Sequence, residues 1–161
     1  MLWESLYTMQ GRLDEYIENQ HKLYKGEKVQ EKILALLVEL GELANETRCF
    51  KFWSTKGPSD KAVILEEFVD GVHFLLSIGL DLDLRFVSQS HNKGDFEQTE
   101  SFLKVYEAVE RFRLQQDAPS YNQMFSAYLN LGLSLGITED ELRQAYENKN
   151  RINFERQDQG Y

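Results

Sequence analysis

Apolar positions recur along this chain at alternating spacings of three and four. Leu2, Leu6, Met9, Leu13 and Tyr16 form the first such stripe and predict an amphipathic helix over residues 2–20. Gln10 and Asp14 lie one turn apart on its more polar side, and taken alone they read as a solvated face, since both residue types are mostly exposed. A Lys-rich break around Tyr24-Lys25-Gly26 separates this element from a second helix, about 29–48, whose stripe is Leu36, Leu40 and Leu43. A third helix is expected over 61–79. Leu65, Phe68, Val69, Val72, Leu75 and Leu76 form its main stripe, and Val63, Phe74 and Ile78 make the opposite face apolar too. A helix that is apolar nearly all round is a buried one, and Gly79 supplies the expected stop. A polar connection with short turns is expected from Asp81 to Gly94. Phe102, Tyr106 and Val109 then mark a fourth helix, and Tyr121, Met124, Phe125, Tyr128 and Leu129 a fifth ending near Gly136. Thr138 and Glu141 form a capping box that opens the last helix through Leu142, Ala145 and Tyr146. No run alternates with period two, so the expected fold is an all-α bundle of about five to six helices.

With 161 residues, 42% of them hydrophobic, the chain suffices for one well-buried domain and is short for two, so a single domain over 1–161 is expected. A net charge of −9 disfavours duplex nucleic acid and anionic membrane surfaces as partners. It is compatible with a phosphorylated small molecule that arrives with Mg²⁺. The single Cys49 leaves no internal disulfide. No run approaches the length of a membrane span, and no basic-then-apolar leader is seen at the start. A cytoplasmic protein is the resulting expectation.

The chemistry gathers in two acidic pairs, Glu39-Leu-Gly-Glu42 and Glu67-Phe-Val-Asp70. Three residues apart on a helix, each pair projects from nearly one side, and both lie inside the most apolar helical runs. Burying unpaired carboxylates there is costly. A cation is therefore expected to offset them, and Mg²⁺ is the ordinary occupant of an all-oxygen carboxylate cluster. His73, one turn beyond Asp70, reads either as a further ligand or as a hydrogen-bonded neighbour, the second being favoured because hard cations prefer oxygen.

Two other segments stand out. The connection Cys49-Phe-Lys-Phe-Trp-Ser-Thr-Lys-Gly-Pro58 is aromatic and basic: Phe50, Phe52 and Trp53 are expected to pin the loop, either plugging the end of the helix pair or walling a pocket, with Lys51 and Lys56 available to phosphate oxygens. The tail, 147–161, gathers Lys149, Arg151 and Arg156 with asparagines in an otherwise acidic chain and loses its apolar periodicity. It reads as a frayed terminus or as a mobile segment that closes over phosphates and base edges. No G-x-x-x-x-G-K-[ST] phosphate loop is present.

In order along the chain, Glu39-x-x-Glu42, a spacer of 24 residues and Glu67-x-x-Asp70 resemble the metal signature of the all-α NTP pyrophosphohydrolases, the superfamily of MazG and the dimeric dUTPases. The Phe-Lys-Phe-Trp-Ser segment and the ending Tyr146-x-x-Lys149-Asn150-x-x-Asn153-x-x-Arg156-Gln-x-x-Gly160-Tyr161 narrow the resemblance to the dimeric dUTPases, closest to short bacterial and phage members. The resemblance implies Mg²⁺-dependent hydrolysis of dUTP, with dUDP as a further substrate, on a homodimer that keeps uracil out of DNA. It implies two or more Mg²⁺ ions held by Glu39, Glu42, Glu67 and Asp70; such ions can lower the pKa of a water, and the adjacent Glu39 is assigned as the base that takes its proton. It further implies a nucleoside held by Gln10 and lined by Trp53, and Lys149, Asn153 and Arg156 closing over uracil and phosphates. Asp14, Lys56 and His73 would be substrate-binding. The competing readings are a pyrophosphohydrolase for another nucleotide, such as dCTP or a damaged purine, and a helical interaction protein on the same fold.

Overall fold

A computed structural model describes residues 3–88 and 97–160. Among them are six α-helices: α1 (Trp3–His21), α2 (Val29–Thr47), α3 (Lys61–Asp81), α4 (Gln98–Gln115), α5 (Ala118–Ser134) and α6 (Glu139–Asp158), and no strand. Leu2, Tyr161 and the later part of the connection expected over 81–94 lie outside the described residues. The helix α3 is the hub. It packs against α2 along most of its length and also touches α1, α5 and α6, while α4 pairs with α5. Its stripe of Phe68, Val69, Val72, Leu75 and Leu76 is buried, and Ile78 on the other side is buried as well.

Two glycines set how closely α5 approaches α3. A methyl group at Gly71 would collide with the Tyr128 hydroxyl, which donates to Phe68 O at 2.8 Å, and one at Gly132 would meet the Phe68 ring. Tyr128 and Phe68 can therefore stack, 4.7 Å between centroids. Because Phe68 and Gly71 flank Glu67 and Asp70 in sequence, this packing fixes the acidic turn.

The structure departs from the sequence expectations in three places. Gly79 does not end α3, which runs on to Asp81; Gly79 is buried where the Tyr121 ring and Leu84 O pack against its bare Cα. On the second apolar face of α3, Ile78 is buried, Phe74 is half-buried and Val63 is exposed. Other exposed apolar side chains include Leu34 and Val38 on α2, Leu103 and Leu114 on α4, and the loop aromatics. Phe52 and Trp53 do not pin their loop, being 92% and 65% exposed. Polar contacts hold it: Arg48 donates to Ser54 Oγ (2.8 Å) and Lys56 O (3.2 Å), and the Ser59 hydroxyl donates to Glu46. Finally, the tail is helical to Asp158, with Tyr146, Lys149 and Asn150 buried. Its inward stripe turns polar after Tyr146 because Lys149 meets the carboxylates of Glu66 and Asp70, so apolar periodicity does not reveal it.

The Thr138–Glu141 capping box is present as expected. A second one at Asp117–Ser120 starts α5.

Candidate active site

The acidic pairs meet where α2 crosses α3. Carboxylate oxygens of Glu39, Glu67 and Asp70 lie within 4.8 Å of one another. Glu42 is more exposed but stands beside both Glu39 and Glu67, and its carboxylate raises the proton affinity of each. One oxygen of Glu39 and one of Glu67 are buried without a hydrogen-bond donor. Burial and then the neighbouring acids push Glu39 up to about 8 and Glu67 up to about 7. Burial also raises Asp70, against the partial offset of Lys149. Buried, unpaired and mutually repelling oxygens are what an Mg²⁺ site without its ion should contain, and hard oxygen donors of this kind suit that ion.

Lys149 reaches this cluster from α6. Its Nζ lies 3.0 Å from Glu66 Oε1 and 3.2 Å from Asp70 Oδ1. Burial opposes its charge, but these two carboxylates hold its pKa above the ordinary lysine value.

From the cluster a cavity of about 440 Å³ extends between α1, α3 and α6. Gln10, Asp14, Glu39, Asp70, His73, Lys149, Asn153 and Arg156 all line it. The structure thus brings together most of the residues expected from sequence. Trp53 and Lys56 are the exceptions: both sit on the exposed loop and neither lines this cavity.

Gln10 and Asp14 are not a solvated face. Gln10 is buried, its Nε2 donates to Asp14 Oδ1 (2.9 Å), and Ser77 Oγ donates to Asp14 Oδ2 (2.7 Å). Gln10 Oε1 accepts from the Tyr146 hydroxyl (2.8 Å) and lies 2.6 Å from His73 Nδ1. His73 is therefore a hydrogen-bonded neighbour of the acidic cluster. Burial, then the charge of Lys149, lowers its pKa to about 3, so the ring is neutral. Its ring stacks on Tyr146 with centroids 4.3 Å apart.

A family model described as dUTPase matches residues 2–161. The chain belongs to that family, the dimeric all-α dUTPases. No curated protein matches the chain. As a family member it is a dUTP diphosphatase. Among the described residues of this dUTPase, no helix is long and apolar enough to cross a membrane.

Sequence reasoning missed Lys32 and Phe74, which also line the cavity. Lys32 is paired with the buried Asp81 at 2.7 Å. It precedes Glu39 by seven residues, two helical turns, and that spacing on one face was the available signal.

Proposed function

We propose that this dUTPase hydrolyses dUTP to dUMP and pyrophosphate in an Mg²⁺-dependent reaction, accepts dUDP as well, and works as a cytoplasmic homodimer. The observation that carries the reading is the convergence of Glu39, Glu67 and Asp70 beside a cavity edged by Lys149 and Arg156. With Glu42, these carboxylates would hold two or more Mg²⁺ ions. When bound, the ions would neutralise phosphate charge and make a nearby water more acidic.

The chain's own groups have distinct roles in this reading. Glu39, whose burial and acidic neighbours strengthen its hold on a proton, accepts the proton of the attacking water. The water oxygen bonds to phosphorus as the α–β phosphoanhydride bond breaks, and pyrophosphate leaves. Lys149, which pairs with Asp70 in this structure, and Arg156 would turn to phosphate oxygens. Gln10, His73 and Asn153 hold the nucleoside. Residues 147–161 close the cavity and exclude water. Because they lie on an exposed loop, Trp53 and Lys56 take part only through a closing of that loop or through a second subunit. Leu34 and Val38, exposed one turn apart on α2, supply an apolar strip for that subunit.

Pyrophosphate release from a panel of nucleoside triphosphates, with and without Mg²⁺, tests the reading. Turnover of dUTP only in the presence of the cation is expected, and equal rates without it, or no preference for dUTP, would refute it.

A further inference from the structure

The Gln10 side chain is held at both ends, and this fixes the chemistry of its neighbour. A carboxylate can only accept, so the Gln10 amide nitrogen must face Asp14, where the contact is 2.9 Å. The amide oxygen then faces the other way, toward the Tyr146 hydroxyl at 2.8 Å and His73 Nδ1 at 2.6 Å. An amide oxygen also only accepts, so Nδ1 carries the ring proton and Nε2 is left as a bare lone pair. The geometry agrees: Nε2 is buried without a partner, on a histidine that is 5% exposed and lines the cavity. Ser77 holds the second oxygen of Asp14, leaving neither oxygen without a partner.

We infer that Asp14 is a positioning residue: acting through Gln10, it locks His73 in the tautomer that presents Nε2 as an acceptor for a proton-bearing group of the nucleoside. Two groups of the substrate have that chemistry, the uracil imide N3–H and the sugar 3′-hydroxyl. Cytosine carries a lone pair at N3 in place of the proton and would meet Nε2 acceptor to acceptor. The inference rests on the cavity being the nucleotide pocket, but its first half concerns the protein alone.

Two-bond ¹H–¹⁵N correlation spectra of the full chain read the tautomer directly. The chain has three histidines, and His73→Gln assigns the signal. Wild type should show a protonated Nδ1 and an unprotonated Nε2. Asp14→Ala releases the Gln10 amide and should give mixed or reversed tautomers with helical circular dichroism retained; Gln10→Leu removes the lock independently if that variant unfolds. Comparing kcat/KM for dUTP with dCTP and with 3′-deoxy-dUTP identifies the group. Loss of the group that Nε2 accepts should cost wild type about tenfold or more, and much less in Asp14→Ala. A protonated Nε2 in wild type overturns the lock. Both ratios unchanged in Asp14→Ala overturn its role in specificity. The expected tautomer in a protein that turns over none of the three nucleotides removes the nucleotide reading and leaves the lock standing.

Discussion

Replacing Glu39 by Gln should stabilise the metal-free protein while removing its response to Mg²⁺. Oxygens of Glu39, Glu67 and Asp70 lie within 4.8 Å of one another. At an effective dielectric near 20, a pair of unit charges at that separation repels by roughly 3.5 kcal/mol. The groups are partly open to water, so screening cuts the net cost to about 1–2 kcal/mol. The sign follows from proton binding. Glu39 and Glu67 hold protons more tightly in the fold, up to about 8 and about 7, than in the unfolded chain. Between the ordinary carboxylate value and these raised values the folded state carries more protons, so its metal-free stability falls as pH rises. Glu39→Gln removes one of the charges. Its melting temperature without metal should exceed that of wild type by about 2–8 °C near pH 8, a range set by the size of the chain. The gap should shrink near pH 5, where Glu39 in wild type is already protonated and neutral. Saturating Mg²⁺ should raise the wild-type melting temperature and leave the variant nearly unmoved. Differential scanning fluorimetry across pH, with EDTA or Mg²⁺, checks all three. A metal-free variant that melts below wild type at the higher pH, or a gap independent of pH, would refute the reasoning.

Glu42→Gln and Asp70→Asn should abolish Mg²⁺-dependent turnover with circular dichroism unchanged; normal activity in either would remove that residue from the site. Truncation after Tyr146 should lower turnover sharply, and tryptic nicking near Arg151 should slow with a non-hydrolysable dUTP analogue and Mg²⁺, whereas full activity in the truncated chain would exclude 147–161 from catalysis. Light scattering at micromolar concentration should give a dimer, and charging the α2 strip with Leu34→Asp should dissociate it; a wild-type monomer would refute the assembly. Gly71→Ala should destabilise the fold by about 2–4 kcal/mol in chemical denaturation, because its Cβ overlaps the Tyr128 hydroxyl.

The helices could be read from the chain because their apolar spacing is regular, and α3 could be read as buried because it is apolar on two sides. The acidic pairs were equally legible, since charges inside such runs need a reason to be there. Three features were not. Gly79 carries a turn signal but serves close packing against Tyr121, a contact forty-two residues away along the chain that no local window contains. Gln10 and Asp14 looked solvated because their partners, His73, Ser77 and Tyr146, come from two other helices. The end of α6 looked irregular because hydrophobicity measures burial against an apolar core, whereas Lys149 is buried against carboxylates.

The unpacked loop has a practical consequence. The chain has two tryptophans. Trp3 packs edge-on against Phe86 and Phe125, 5.7 and 4.9 Å between centroids, whereas Trp53 touches only the loop's own Phe50 and Phe52 among the described ring contacts and is largely exposed. Indole emission shifts to the blue as water leaves its surroundings, so one residue supplies a steady background and the other a responsive signal. Trp53 is thus a built-in fluorophore at the place where loop closure or a second subunit would cover it. A titration with protein concentration and another with nucleotide would separate those two events in the unlabelled, unmutated protein.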